Sequence, residues 1–296
     1  MGRWNTTTQM GRIVKIPFIL MAVAGLSACG GSTTSVGPTP TTPIAGNVLG
    51  TAGGATVTGT AHGVADGQPV AMTIGGTTIS GLVRDTTYDK GVLKAFVQSA
   101  VKPCPGSTCG TESNREAGHS GVSSTGAMSA SVLNTDSSSI EAGGILRGAN
   151  YARVSGGTMP TTGGGTFTGS YAGGAGASNV TAFIVTGDVS LTADFDASTI
   201  QGSITNRVGQ QNILGNQFSF ADITLNSATI SGAGAYSGSA TGGDMALLGS
   251  VTSQTGTFSG LIGGATGTET AGAVNTQTNY NSGSIIMTEV GVFIAE

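Results

Sequence analysis

Apolar and polar residues alternate without a break over residues 188–195. Val189, Leu191, Ala193 and Phe195 share one face of an extended chain, and acidic and hydroxyl side chains occupy the other. This pattern is typical of an antiparallel strand with one buried face. Residues 200–204, 270–275 and 290–294 are further strand candidates.

The alternation slips by one position within residues 222–230. Ile223 and Leu225 share one face, but Ala228 and Ile230 return to that face only across an extra residue at Ser227. A slip of this kind in a strand predicts a β-bulge.

A glycine–aromatic–glycine pattern recurs three times in the second half of the chain. Its rings are Phe167, Tyr236 and Phe258, each with a glycine two residues before and two residues after it. Residues two apart share a strand face, so each ring is predicted to have bare backbone on both sides. Such glycines permit the bending that a closing sheet needs. The copies are unequally spaced, which argues against a solenoid.

These segments give eight strand candidates in residues 161–296. Eight antiparallel strands close into a barrel whose interior is filled by side chains. The sequence therefore predicts an all-β fold with a C-terminal eight-stranded antiparallel β-barrel. The alternative, a transmembrane pore, requires strands of about ten residues with lipid-facing apolar side chains and aromatic girdles. The strand candidates here are shorter.

Residues 51–160 alternate more weakly and are predicted to form a smaller, β-rich, handle-like domain. Residues 56–60 and 70–74 have strand patterns, and Gly75 and Gly76 suit a hairpin turn. Apolar residues at helical spacing over 89–101 predict one helix, which Pro103 ends. The polar residues 107–144 are predicted to be largely a long mobile loop.

The first 28 residues have the features of a secretory signal peptide. Arg12 and Lys15 precede a short apolar run, with Met1 or Met10 as the start, and small residues lead to Cys29. The run Leu-Ser-Ala-Cys resembles the bacterial lipobox, which implies removal of residues 1–28 and acylation of Cys29. The alternative is a plain signal peptide with a chance cysteine. Residues 29–50 are rich in Gly, Thr and Pro and are predicted to be a flexible tether.

Charge excludes one class of partner. Only 9% of the 296 residues are charged, against about 25% in typical soluble domains. Residues 154–296 contain a single basic residue, Arg207, against eight acidic ones. This half of the chain cannot form the basic face that nucleic acids require, so nucleic acid is not expected as a partner.

Two cysteines remain after Cys29. Cys104 and Cys109 are separated by a Pro-Gly turn, and in an exported protein they most simply form a disulfide. A zinc site would need more ligands, and His62 and His119 are the only histidines. We expect His119 to be an exposed loop residue and the protein to hold no metal or other cofactor.

The second half resembles the barrel domain of transferrin-binding protein B-like surface lipoproteins over about residues 150–296. The residues that carry the resemblance are 193–195, 199–204, 256–260, Ala265, Glu269, Ala271, Gly272 and 291–293, with a lead-in at 151–154 and Pro160. The barrel-defining positions are therefore taken as Phe167, Tyr236, Phe258, Gly260, Gly272 and Phe293.

This resemblance implies an eight-stranded barrel preceded by a handle domain, on a lipoprotein at the outer surface of a Gram-negative outer membrane. Members of the family capture host proteins such as transferrin, haemoglobin or a complement regulator through variable loops. No position here matches those ligand contacts. The chain is also shorter and less charged than the two-lobed receptors.

Patterns that would indicate catalysis are weak. Ser99 and Lys102 have the spacing of a Ser-x-x-Lys nucleophile, but the further motifs of that enzyme class do not follow. Asp194 and Asp196 share a strand face as glycosidase carboxylates might, yet a second acid at a defined separation is needed. Four more acids are too scattered for a calcium loop: Asp222, Asp244, Glu269 and Glu289.

The sequence thus predicts a non-catalytic lipoprotein of the outer membrane, displayed on the cell surface. Its expected partners are the membrane, through the lipid anchor, a protein or haem ligand connected with iron acquisition, and an outer-membrane translocator. The alternative is a passive structural or adhesive surface protein.

Overall fold

The computed structural model of the protein describes residues 41–53, 55–59, 61–79, 81–98, 116–135, 146–177, 183–211, 216–283 and 285–296. These residues belong to one compact unit. The predicted signal peptide, Cys29, Cys104 and Cys109 lie outside them, as do Ser99 and Lys102.

The described residues form twenty strands and three short 3₁₀ turns. The strands are β1 (Thr41–Ile44), β2 (Val48–Gly53), β3 (Val57–Gly59), β4 (Met72–Ile74), β5 (Thr77–Ile79), β6 (Leu82–Arg84), β7 (Lys94–Gln98), β8 (Ala117–Val122), β9 (Met128–Thr135), β10 (Leu146–Arg153), β11 (Gly157–Pro160), β12 (Gly164–Ala177), β13 (Phe183–Asp194), β14 (Thr199–Gln211), β15 (Gln217–Ser219), β16 (Ile223–Thr229), β17 (Ala235–Gly242), β18 (Val251–Gly263), β19 (Glu269–Tyr280) and β20 (Ile285–Ala295). The 3₁₀ turns span Thr86–Tyr88, Ala246–Leu248 and Asn281–Gly283.

Eight of these strands close into an antiparallel barrel, as predicted. β12, β13, β14, β16, β17, β18, β19 and β20 pair in chain order, and β20 pairs back with β12. At the closing seam Tyr171 lies opposite Phe293. Thr168 and Glu296 extend the seam by exchanging two backbone hydrogen bonds, of 2.9 and 3.0 Å. Short strand β15 pairs with the end of β14 outside the ring.

The three aromatic rings of the repeated pattern are buried in the barrel core. Phe167 lies opposite Leu191, whereas Tyr236 and Phe258 each cover a glycine of the neighbouring strand. Tyr236 is opposite Gly260, and Phe258 is opposite Gly238, so β17 and β18 exchange rings and glycines. A side-chain carbon added to Gly260 would overlap the Tyr236 ring, and one added to Gly238 would come within 2.7 Å of Phe258. The predicted contact within one strand is thus a contact between strands, because a ring leans across the sheet as well as along it.

The same arrangement recurs next to the seam. Phe293 of β20 is opposite Gly272 of β19, where any side chain would overlap its ring. Gly291 is covered in the same way by Tyr171. Rings over glycines fill the barrel where its wall would otherwise be bare backbone.

The barrel is apolar inside and polar on most of its outer surface. Along β13 the inward Val189 and Leu191 are buried, while Ser190, Thr192 and Asp194 are exposed. A membrane-spanning barrel has the opposite arrangement, with apolar side chains outward. The strands reach 14 residues in β12, so the expectation of short strands is wrong. Glycine-rich segments lengthen the strands without adding apolar residues to the alternation that predicts them.

The predicted bulge is present. Ile200 pairs with Ala228 and Gly202 with Leu225, so β16 carries one extra residue between those pairs, next to Ser227. A second bulge, not predicted, lies in β14 opposite residues 186–188 of β13. Asn206 has a positive φ of 51° at this second bulge, a conformation that asparagine tolerates better than most residues.

The first half forms three smaller sheets. The largest has the order β2-β10-β9-β8-β7-β6, and a three-stranded sheet has the order β3-β4-β5. The third is the pair β1 and β11. We call the six-stranded sheet the handle sheet.

The handle sheet lies between the barrel and the three-stranded sheet. Its inner face packs Met128, Val132 and Tyr151 against Leu261 and outward side chains of β19 and β20. Its outer face buries Phe96 and Leu133 against the three-stranded sheet. The first half therefore packs on the outside of the barrel and covers one side of its wall.

The predicted helix over 89–101 is wrong. Residues Lys94–Gln98 are strand β7, in which Ala95, Phe96 and Val97 are all buried. A strand buried on both faces has consecutive apolar residues, which periodicity cannot distinguish from a buried helix.

Two more boundaries of the first half need correction. Strands β8 and β9 fall within residues 107–144, which were expected to be largely a mobile loop. Strands β1 and β2 fall within or across residues 29–50, which were assigned to the tether. Close packing requires a small residue at Gly118, where the Val132 carbonyl and the Phe96 ring leave no room for a side chain.

The ring-over-glycine contacts predict a specific cost. Gly260→Ala should lower the free energy of unfolding by about 1–3 kcal/mol, because the added methyl group must displace the buried Tyr236 ring. Gly232→Ala is the matched control, since an added carbon there has nothing within 4 Å. Urea unfolding followed by circular dichroism measures both; equal stability of the two variants would contradict the packing.

Candidate binding surface

A buried ion pair crosses the barrel interior. Arg207 of β14 and Glu289 of β20 are both fully buried, and one guanidinium nitrogen, Nη2, donates to both carboxylate oxygens. The Tyr171 hydroxyl donates to Glu289 Oε1 at 2.6 Å. The bulge at Asn206 turns Arg207 inward, because the side chains of β14 change phase there.

The environment of this pair favours its charges. Burial is the largest single influence on Arg207 and disfavours its charged form, but Glu289, Tyr171 and Asp222 together outweigh it and raise the pKa of the guanidinium. Burial, and then the charge of Glu289, raise the pKa of Tyr171 well above its ordinary value. The Arg207 guanidinium also lies 5.3 Å from the centre of the Phe220 ring, within the range of a cation–π contact. The contacts among Tyr171, Arg207 and Glu289 connect strands β12, β14 and β20.

Polar contacts fasten the handle sheet to the rim of the barrel. The turn between β8 and β9 places Ser123 Oγ and Thr125 Oγ1 each 2.6 Å from a carboxylate oxygen of Glu269. On the other side, Lys90 Nζ lies 2.6 Å from Asp188 Oδ1. Glu269, which the sequence left as a scattered acid, is thus a buried acceptor for the handle turn.

Arg153 is buried, and no acid among the described residues pairs with it. Its Nη2 donates to the Ala233 carbonyl at 2.7 Å, while Nε and Nη1 have no partner among the described residues. Burial lowers the pKa of its guanidinium. Arg153 is the last residue of β10, after which the chain leaves the handle sheet.

Among the clefts on the described surface, three lie where the first half meets the barrel or at its own turns. One, of about 450 Å³, is lined by His62, Gly91, Val92, Lys94 and residues 122–126. A second, about 390 Å³, runs beside β2 and is lined by Thr51, Ala52, Gly53, Ser237, Gly238, residues 257–259 and Asn275. A third, about 250 Å³, lies between residues 87–89 and the barrel. Their linings combine small polar residues with larger side chains such as Tyr88, Lys94 and Phe258.

The acids singled out from the sequence do not form a metal site. Among the described residues, no three His, Cys, Asp or Glu side chains group closely enough to hold an ion. Asp194 and Asp196 instead accept backbone amides of Ala197 and Gly163, both at 2.9 Å. These carboxylates fasten loops at one barrel end.

His119 is in β8 and fully buried, so its assignment to an exposed loop is wrong. Its Nε2 lies 2.9 Å from the Tyr88 carbonyl, which can only accept, so Nε2 carries the proton. Burial lowers the pKa of His119 to about 4, although the Tyr88 bond and Asp89 act in the opposite direction. A histidine between glycines and serines resembles a loop residue in sequence, and only the three-dimensional layering buries it.

Comparison with known proteins adds solved structures of similar fold. Neither a protein-family model nor a curated protein matches the chain. Two matched structures are a double and a single mutant of the vaccine antigen transferrin-binding protein B (TbpB) from Haemophilus parasuis Hp5, with 14% and 13% identity and TM-scores of 0.43 and 0.41. A third is intact Ap-TbpB with N and C lobes, at 15% identity and a TM-score of 0.38.

The matches extend over most of this chain but only part of the matched proteins. They cover 78%, 78% and 76% of this chain, and the chain spans about two fifths of the length of those proteins, namely 40%, 41% and 41%. Within the part of the chain that the structure describes, no helix is long and apolar enough to cross a membrane.

The barrel ion pair yields a test of its structural role. Glu289→Gln should lower the free energy of unfolding by about 3–5 kcal/mol, because it leaves the Arg207 charge buried without a counter-charge. The double variant Arg207→Met with Glu289→Met removes both charges and should lose much less stability than the single variants Arg207→Met and Glu289→Met combined. Chemical denaturation of the wild type, the two single methionine variants and the double variant measures this; additive losses would show that the pair is not coupled.

Burial of His119 yields a pH dependence. Its pKa is about 4 in the folded protein and about 6.5 in an unfolded chain, so the folded state binds fewer protons between these values. The stability should therefore fall by about 3 kcal/mol as the pH drops from 7 to 4. Denaturation midpoints should show that His119→Gln reduces this slope, whereas His62→Gln, at an exposed position, keeps it. An unchanged slope in His119→Gln would contradict the assignment.

Proposed function

We propose that the chain is a non-catalytic, outer-membrane-anchored surface lipoprotein that binds a macromolecular or haem- and iron-related ligand through its loops. One observation carries the binding mode: the barrel interior is occupied by side chains, with Phe258, Phe293 and Tyr171 all buried. A ligand therefore has the loops and outer faces available to it. The lipobox-like sequence ending at Cys29 supports the anchor.

The form of the surface favours a macromolecule within that class. The three clefts are open to solvent, whereas a small cofactor is usually largely enclosed by apolar and aromatic side chains. The buried titratable groups support a non-catalytic role. Arg207, Glu289 and Glu269 are engaged in ion pairs or hydrogen bonds that hold the fold together.

Charge further narrows the partner. Lys90 and Lys94 are only partly exposed, at 31% and 32%, and are already paired with Asp188 and Asp89. Asp194, Asp196 and Glu296 are exposed acids of the barrel, whereas Arg207, its one basic residue, is buried. A neutral or basic protein surface is therefore favoured over a polyanion.

The anchor is tested by lipid labelling. Expressed in a Gram-negative host with labelled palmitate, the chain should incorporate label and fractionate with the outer membrane, and Cys29→Ser should abolish both. Cys104→Ser is the matched control and should retain label. Protease treatment of intact cells then reports orientation: loss of the protein means outward display. Label in the Cys29→Ser variant, or full protection of the anchored protein, would contradict the proposal.

Ligand capture is tested with lipid-free protein beginning after Cys29. Immobilised protein is exposed to transferrin, haemoglobin and haem; transferrin is included because the matched solved structures carry its name. We expect transferrin or haemoglobin to bind with a dissociation constant of micromolar or lower. We expect haem alone not to bind. No binder in the panel at micromolar concentrations would favour the passive structural alternative.

A further inference from the structure

The handle sheet has an unprotected edge. Among the described strands, β2 has a hydrogen-bonded neighbour on one side only, β10, so one row of its backbone groups faces outward. Natural proteins block such edges with lysines, prolines or bulges. β2 reads Val-Leu-Gly-Thr-Ala-Gly and carries none of the charged or proline residues that do this.

The edge is also accessible. None of the six residues of β2 is fully buried, and Leu49 is 60% exposed. It is the most exposed large apolar side chain among the described residues. An uncharged and accessible edge strand of six residues is a template for one more strand.

A groove lies where that added strand would sit. The handle strands step across the barrel: β9 contacts β12, β19 and β20, β10 contacts β18, β19 and β20, and β2 contacts β18 and β19. The next position in this series lies over β18 and β17. The cleft of about 390 Å³ beside β2 is lined there by Ser237 and Gly238 of β17 and by residues 257–259 of β18.

The floor of this groove selects the chemistry of an occupant. Beneath the handle, the barrel surface is apolar at Leu261, Ala271 and Ala273. Beyond β2 it changes to the exposed hydroxyl and amide groups of Ser237, Thr257 and Asn275. Described charged side chains are not among its lining residues, so a charged side chain placed there would be desolvated without a counter-charge.

We propose that the β2 edge takes up an extended, uncharged segment of a partner protein as a seventh strand of the handle sheet. Backbone hydrogen bonds along β2 supply the affinity. Ser, Thr, Asn or Gln side chains facing the barrel meet the hydroxyl groups of Ser237 and Thr257. The surface continues the contact that β10 already makes, where the Tyr151 hydroxyl donates to Ser259 Oγ at 2.7 Å. This site differs from the loops at the barrel ends and needs no membrane anchor.

The test uses phage-displayed nine-residue peptides of random sequence, selected on lipid-free protein. We expect enriched peptides to be uncharged and to bind at least tenfold more weakly to Thr51→Lys, which places a blocking charge on the edge strand. The same loss is expected for Ser237→Lys on the groove floor. Thr192→Lys, at an exposed position of β13, is the control and should bind like the wild type.

Hydrogen exchange of the unmodified protein gives a second measurement that does not depend on the variants. An enriched peptide should slow exchange of β2 amides and leave the barrel-end loops unchanged. Three outcomes would overturn the proposal: no enrichment, enrichment of charged peptides, or binding that survives Thr51→Lys. A dimer that Thr51→Lys converts to monomer would assign the edge to a second copy of this chain instead. Because no host protein is used, failure here leaves the anchored-binder proposal standing.

Discussion

Aromatic rings that cover glycines of the neighbouring strand are the contact on which this fold depends. Eight strands make a narrow barrel, and its wall must bend while its interior stays filled. Glycines such as Gly260 and Gly272 permit the bending, and the rings of Tyr236 and Phe293 occupy the space above them. The result is a closed barrel whose interior is filled by side chains. The candidate binding surfaces therefore lie on its outside.

The charges inside the molecule have a structural explanation. Arg207 and Glu289 pair within the barrel, and Glu269 accepts hydrogen bonds from the handle turn. Buried pairs of this kind are costly unless both partners are present, so they oppose alternative arrangements of the strands. The handle sheet then covers the part of the barrel wall that is apolar on its outer face. The barrel and the handle sheet thus bury apolar surface that each would otherwise expose to water.

How much of the fold could be predicted from the sequence depended on how many faces of each strand are buried. β13 has one buried face, so its alternation and the barrel were predictable. β7 is buried on both faces and resembles a helix in sequence. β2 is built of small residues and resembles a linker, although it forms the edge of the handle sheet. The lipid-anchor sequence at Cys29 was recognisable because it is a local motif.

The candidate surface was least predictable. The groove beside β2 combines residues 51–53 with residues 237–238, 257–259 and 275, which come together only after the sheet docks on the barrel. Arg207 turns inward at a bulge marked in sequence by nothing more than Asn206. Such features arise from the pairing of distant strands, and no local pattern reports them.

Native-state hydrogen exchange across the seam between β12 and β20 tests closure of the barrel most directly. In a closed barrel every strand has two neighbours, so amides of Gly169–Ala177 and Met287–Ala295 should exchange only through global unfolding. Uniform protection along both strands is the predicted result. If alternate amides of β12 or β20 exchange within minutes, that strand is a free edge and the sheet is open, which would contradict a closed barrel.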